Sequence, residues 1–442
     1  MALFDELPRD SRARPRRSRA ERERTEIARC LHGRPLTVAL LLVVALLAGC
    51  SGPAAPATGE AGSLNVRSGS PGAGTPSPAP STATATQNSL ATSSPAAPAT
   101  PEAGSAFAYG FNVFVRGDGD GAQFNDKTFA MVTGAGFDWI HFQLSWKQFE
   151  PNKGQWDPLP TDRIVKQALD AKIHILVSVV DFPDWARDLS NKQLLKDWSD
   201  YQEFVHFIAD RYRGQITVWE IGNEENLAYT VGGTVRVTDY AHLLEAGYKG
   251  VKTAAPDATV LFGALTPTGI NNPKIAIDDV EYLKQFYALQ DGYYTQFFDA
   301  LGMHANATKN APDLMWPDNP GTDGWSDDGS FYFRRVEQLH QVMLEHNDAR
   351  PAWITEFGWT TANQAPGYEY GKFVSPEDQA TYLVRAFQIA RQSWPWCVGM
   401  VVWNLNYSVV SPPTDEKTPW AVLNADWSPR PAYTALTNMP KP

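Results

Sequence analysis

"ITVWEIGNEEN" (residues 216–226) opens as an apolar run rich in β-branched residues and closes in Gly, Asn and three glutamates. The first half reads as a buried strand, and the second half as the loop that leaves it. Glu220, Glu224 and Glu225 fall within six positions and cannot all do the same thing. A strand whose C-terminal end carries carboxylates has either a solvated rim there or a reaction to run.

Seven other runs resemble the first half: 107–114, 137–144, 172–180, 258–265, 297–304, 351–358 and 398–406. Between them lie segments of helical period. "SDYQEFVHFIADRYRG" (199–214) ends on a glycine stop, and "SPEDQATYLVRAFQIARQS" (375–393) starts with a Ser N-cap followed three residues later by Asp378. Eight strands, most followed by a helix, over about 330 residues are what a (β/α)8 TIM barrel requires. The alternative is an open doubly wound sheet, as in a two-lobed solute-binding lipoprotein. No glycine fingerprint follows the first strand, which argues against a dinucleotide fold.

The predicted barrel occupies 106–442; what precedes it is different in kind. Residues 1–34 carry ten Arg against six Asp and Glu, about +4, which leaves about −15 of the formal −11 for the remainder. An acidic remainder argues against a nucleic-acid partner. "PLTVALLLVVALLAGC" (35–50) has an apolar core too short for a membrane span and suited to a signal peptide. Its end, Leu47-Ala48-Gly49-Cys50, resembles the bacterial lipobox. That resemblance implies a signal peptide over 1–49 and a lipid on the Cys50 thiol; an ordinary signal peptide or a short anchor is the alternative. From Cys50 to residue 105 the chain is almost all Pro, Ala, Ser, Thr and Gly. Such a segment cannot bury enough apolar area to offset its ordering entropy and should be a disordered tether. Lipid and tether together would place the barrel on the outer side of a bacterial membrane, within the cell envelope. Cys30, Cys50 and Cys397 form no disulfide framework.

In such barrels chemistry sits at the C-terminal strand ends. The fourth predicted strand ends in Gly222-Asn223-Glu224-Glu225-Asn226, and the seventh in Glu356-Phe357-Gly358-Trp359. The eighth ends in Trp403-Asn404, the second leads into Trp146, and the third into Phe182-Pro183-Asp184-Trp185. The rim thus offers two carboxylates among Trp146, Trp185, Trp359 and Trp403, side chains that either stack on sugar faces or fill the core. Strands four and seven face each other across the mouth. Glutamates projecting from both come within the spacing, about 5 Å, that a retaining glycosidase uses.

Together with "WKQFEPNKGQWD" (146–157), "FPDWA" (182–186) and "LNADWSPRPAY" (423–433), the motifs "WEIGNEEN" and "WITEFGW" resemble glycoside hydrolase clan A. These are the retaining (β/α)8 glycosidases, and the β-xylosidase-like and endoglucanase-like members resemble this chain most. The resemblance runs over nearly all of 107–437. It implies Glu224 as general acid/base, Glu356 as nucleophile, Asn223 on the sugar 2-hydroxyl and Trp403 as a platform under the cleaved sugar. It implies an oligo- or polysaccharide substrate and neither cofactor nor metal. Glu356 should then be ionised, its charge keeping Glu224 protonated. Glu220 should point into the barrel as a paired carboxylate, and Glu225 should face away from Glu224 by strand alternation.

The sequence departs from the clan at two places. His141 stands where many members carry an Arg that supports the nucleophile; it would donate a hydrogen bond there or fill the barrel interior. His304 should line the site, but the tyrosine usual two residues later is Asn306 here. The long segment 306–333 carries Trp316 and Trp325, either subsite walls or packing. His141, His174 and His304 show no metal-type spacing. The expected activity is retaining hydrolysis of β-linked glycans. The alternatives are a catalytically impaired glycan-binding barrel and a transporter's solute-binding lipoprotein.

Overall fold

The computed structural model describes residues 107–441. The expected signal peptide, the lipidated Cys50 and the tether lie outside the described residues. Eight strands close into one parallel barrel, each hydrogen-bonded to its sequence neighbours, the eighth to the first. They are β1 (Ala108–Asn112), β2 (Trp139–Ser145), β3 (His174–Val180), β4 (Val218–Ile221), β5 (Thr259–Phe262), β6 (Ala300–Asn306), β7 (Ala352–Gly358) and β8 (Cys397–Val402). Each of the eight apolar runs supplies one. One principal helix follows each strand: α1 (Gly121–Gly134), α2 (Leu159–Asp170), α3 (Trp198–Arg211), α4 (Val237–Ala254), α5 (Asp279–Ala288), α6 (Val336–Glu345), α7 (Pro376–Ser393) and α8 (Pro431–Asn438). The doubly wound alternative is excluded by closure.

Local chemistry explains the helix ends. Ser375 Oγ accepts from the Asp378 N–H while the Asp378 carboxylate accepts from the Ser375 N–H, a complete capping box for α7. The expected helix over 199–214 stops at Arg211, and Gly214 turns the chain with φ +71°. Cys397 is buried at the start of β8, and burial pushes its thiol up to about 12, so it is an inert core residue.

Inside the barrel, side chains stack in layers because inward-facing positions recur every second residue. Ala108, Leu176, Val218, Leu261, Ala300 and Trp353 form an apolar floor. Two residues further along β3 and β4 stand Ser178 and Glu220, paired in register. That step turns the core from apolar to polar and starts the site.

Candidate active site

Glu220 anchors the polar layer. It is fully buried and accepts from Ser178 Oγ, from Thr355 Oγ1 at 2.9 Å and from the Ala264 N–H at 3.1 Å, with His141 Nε2 at 3.3 Å. Burial alone would raise its pKa. The bond and charge from His141, then the charge of His304 and the Ser178 hydroxyl, outweigh burial and hold it below the ordinary carboxyl value. Gly302 on β6 is needed here, because a Cβ would meet Glu220 Oε1 at 2.7 Å and the Phe262 carbonyl at 2.4 Å. The expectation of a paired, inward Glu220 agrees with this.

His141 belongs to the same layer and not to the cleft. It is fully buried, with Nε2 2.6 Å from Ser178 Oγ and Nδ1 3.2 Å from the Thr355 carbonyl. Both ring nitrogens are engaged, so the substrate contact expected of it is replaced by support of Glu220. Of the two readings the sequence left open, the barrel-interior one holds.

One layer up, Glu224 and Glu356 converge. One carboxylate oxygen of each and a ring nitrogen of His304 all lie within 4.8 Å of one another. His304 Nδ1 is 3.0 Å from Glu224 Oε1, and its Nε2 is 3.7 Å from Glu356 Oε1. Two backbone irregularities make this meeting possible. β4 ends at Ile221, and the chain then turns through left-handed Gly222 (φ +80°) and Glu224 (φ +57°), with the Glu224 N–H donating to the Ala264 carbonyl at 2.8 Å. On the other side, the β6–β7 register skips from Met303↔Ile354 to His304↔Glu356, leaving Thr355 as an extra residue on β7. Such a bulge lets consecutive side chains serve one face. Thr355 reaches down to Glu220 while Glu356 reaches the mouth.

The expectation that strand alternation turns Glu225 away from Glu224 needs a different reason, because neither residue is on the strand. Glu225 is 1 % exposed and folds back against Gly222, where a Cβ would lie 3.0 Å from its Cγ and Oε1. Burial, eased by the Asn223 N–H and the Arg187 charge, pushes it up to about 8.

The charge state of the site also differs from expectation. Burial, opposed by His304 and reinforced by Glu224, Glu220 and Glu416, pushes Glu356 up to about 8. At neutral pH this favours the protonated form of Glu356, where the ionised form was expected. The strand-two arginine that would hold it ionised is absent, and His141 in its place is engaged with Glu220. Burial alone would lower the His304 pKa, but the charge of Glu356, the bond and charge of Glu224 and the charge of Glu220 push it up to about 9. The same three side chains would hold a cation only with the imidazole deprotonated.

Aromatic side chains divide between wall and core. Trp403 is half-buried at the end of β8, 5.2 Å from the Tyr407 ring, in a cluster with Tyr368, Tyr370, Trp420 and Trp325. Trp325 thus joins the wall at Trp403, its ring 5.0 Å from Tyr370, whereas Trp316 packs against Tyr332 within its own loop. The expected substrate contacts of Trp146 and Trp359 are overturned. Both are fully buried, their indole N–H groups donating to Glu150 Oε2 and the Asn310 carbonyl, among Phe204, Trp185, Phe333 and Tyr382. Trp185 is partly buried, edge-on to Trp146, and its N–H donates to the Glu150 carbonyl. Asn223 is half-exposed, and its Oδ1 accepts no bond from the protein.

Three site residues were not visible in the sequence. Glu416 is 7 % exposed in the β8–α8 loop, with Lys417 Nζ at 3.3 Å; burial, partly offset by Lys417 and reinforced by Asp415 and Glu224, pushes it up to about 7. Tyr368, from the β7–α7 loop, is buried close enough to Glu416, Glu224 and Glu356 for their charges to reinforce burial in raising its pKa. Asn112 on β1 donates to the Thr355 carbonyl at 2.9 Å, pinning the bulge. Loop residues without a motif leave no signal beyond lying between strands, though "DEK" (415–417) is a charged run in an otherwise apolar stretch.

No known family profile matches the chain. Over 110 residues it is 26% identical to endo-1,4-beta-xylanase A of Fusarium oxysporum f. sp. lycopersici, a stretch that is 24% of this chain and 32% of that enzyme. The chain thus spans about a third of the curated relative it matches. Among solved structures, it is similar to a family 39 glycoside hydrolase from the gut symbiont Bacteroides cellulosilyticus WH2 (TM-score 0.55, 19% identity, 74% of this chain and 62% of that one). It is similar also to native xylanase 10B from Thermotoga maritima (TM-score 0.52, 16% identity, 75% and 94%). A third is xylanase 10B from Thermotoga petrophila RKU-1 in complex with xylobiose (TM-score 0.51, 14% identity, 75% and 93%). At these identities the likeness is one of fold: the barrel is the one that these glycoside hydrolases have.

Proposed function

We propose that the chain is a retaining glycoside hydrolase that cleaves β-linked glycans by double displacement. One observation carries the reading: oxygens of Glu224 and Glu356 lie within 4.8 Å of each other on opposed strand ends. That separation suits direct attack on a sugar held between them and leaves no room for the intervening water an inverting enzyme needs.

In the first step a Glu356 oxygen attacks the anomeric carbon as the glycosidic C–O bond breaks, and Glu224 gives its proton to the departing oxygen. In the second, Glu224 takes a proton from water, whose oxygen attacks the same carbon and releases Glu356. Attack requires Glu356 ionised and Glu224 protonated, so a proton held on Glu356 must pass to Glu224. His304, bonded to one and 3.7 Å from the other, offers the route. Asn223, next to Glu224 on the same turn, and Trp403 are the residues assigned to the glycone, and Trp185 is a rim contact.

The xylanase names among the similar proteins make xylan the first polymer to try. The test is turnover of aryl β-xylosides and β-glucosides by residues 104–442, with Glu356→Ala as control, and trapping of a covalent adduct on Glu356. Turnover that survives Glu356→Ala would refute the reading. Lipidation of Cys50 and an extracytoplasmic, membrane-held location are part of the same proposal, supported by the leader sequence. Cys50→Ala should release the protein from the membrane fraction.

A further inference from the structure

Glu225 is used by none of the steps above. It follows the acid/base residue directly, yet its carboxyl lies on the far side of the chain, in the wall between barrel and helices. Its Oε2 has no hydrogen-bond partner in the protein, and neither do the hydroxyls of Tyr201 on α3 and Tyr282 on α5. All three groups are buried. They are neighbours: the charge of Glu225 acts on Tyr201, on Tyr282 and on Tyr240 of α4. Tyr240 spends its own hydroxyl on the barrel, donating to the Ile221 carbonyl at 3.1 Å and accepting from the Gly263 N–H at 2.6 Å. The groups facing Glu225 are thus three tyrosines, with Arg187 of the β3–α3 loop supplying positive charge and Glu220 and Asp239 acting on the same tyrosines.

A buried carboxyl with an unpartnered oxygen works against the fold. The cost is explained by where the other end of the side chain sits. The Glu225 Cγ and Oε1 lie where a Cβ on Gly222 would meet them at 3.0 Å, so the side chain covers the left-handed turn from behind. Glu224 projects from that turn; its backbone is tied by its N–H bond to the Ala264 carbonyl and by its carbonyl, which accepts from the Leu227 N–H at 3.0 Å, and its carboxylate meets His304.

We propose that Glu225 is a positioning residue for Glu224: its buried carboxyl braces the Gly222–Glu224 turn and sets where the acid/base carboxyl points. It braces as a neutral acid, burial pushing its pKa up to about 8. This deepens the glycosidase reading and rests on it for its meaning in catalysis, but the bracing itself can be read without turnover.

The readout is the His304 imidazole, whose pKa of about 9 depends on Glu224 staying beside it. Its NMR titration is followed in wild type, Glu225→Gln and Glu225→Leu, with the resonance assigned by its loss in His304→Gln. Glu225→Leu removes the brace, and His304 should titrate about one unit lower as Glu224 moves off. Glu225→Gln keeps the neutral brace and should leave the titration in place. An unchanged His304 pKa in Glu225→Leu overturns the proposal. Should that variant not fold, Glu225→Met, which also removes the carboxyl, takes its place, and an unchanged His304 titration there overturns the proposal. In an active enzyme Glu225→Leu should lower kcat about tenfold with KM changed little, and Glu225→Gln should restore it. Absence of turnover in wild type would break the glycosidase reading while the His304 titration still decides the bracing.

Discussion

Two regions one layer apart treat the same functional group in opposite ways. In the barrel interior, Glu220 is fully buried and held below the ordinary carboxyl pKa, because every direction around it holds a donor. At the mouth, burial, with the charges of Glu224, Glu220 and Glu416 added, outweighs the one cationic partner 3.7 Å from Glu356 and pushes it up to about 8. Burial raises both carboxyls, and the donors around each decide whether that rise survives. The lower layer is built to keep one charge permanently satisfied. The upper layer keeps its charges unsatisfied, which is the condition for moving a proton during a reaction.

The contrast breaks most visibly at the mouth. Glu356→Ala should lower kcat by about 10⁴-fold, while changing stability little or raising it, since a desolvated acid is removed. Activity against denaturation midpoint on one preparation checks both halves. Glu220→Ala should do the reverse. It leaves His141, Ser178, Thr355 and the Ala264 N–H without their common acceptor, and should cost about 3 kcal/mol or more by urea unfolding. If Glu220→Ala were as stable as wild type, the lower layer would not be the satisfied one.

The pH profile sharpens the comparison. The reactive form keeps one proton, passed from Glu356 to Glu224, so kcat/KM should fall as pH rises through about 8. Stability should move the same way. The folded chain holds protons on Glu356 and Glu225 that the unfolded chain releases near 4.5. Their contribution is full below that value and is lost as pH rises through about 8. Glu220, with a lowered pKa, contributes stability above the ordinary value that is lost only as pH falls through its own. A melting temperature that is flat from pH 5 to 8 would contradict the raised values. The smallest effect is expected at Tyr368, whose charge coupling to Glu416 and both mouth glutamates places it at the rim of the network. Tyr368→Phe should change kcat by about fivefold and leave unfolding unchanged.

Much of this was readable from residue order. Eight apolar runs became eight strands, and Ser375 with Asp378 became a capping box. "WEIGNEEN" and "WITEFGW" marked the two carboxylates that meet. The tryptophans were read less well. Trp146 and Trp359 follow strand ends as closely as Trp403 does, but their rings turn into the helix layer, where the N–H groups find acceptors. Strand-end position says that a side chain is near the rim, not which way it faces.

Sequence alone determined the strand count, the barrel and the pairing of Glu224 with Glu356, because hydrophobic period and chain order are local and additive. Tertiary structure alone decided that Glu356 is pushed up by burial, that His141 serves Glu220 and that Glu225 lies behind the turn. Those outcomes depend on a bulge at Thr355, a left-handed turn at Gly222 and charges brought together from strands far apart in the chain. Electrostatic energy is set by distance and surrounding medium, and neither exists until the barrel closes.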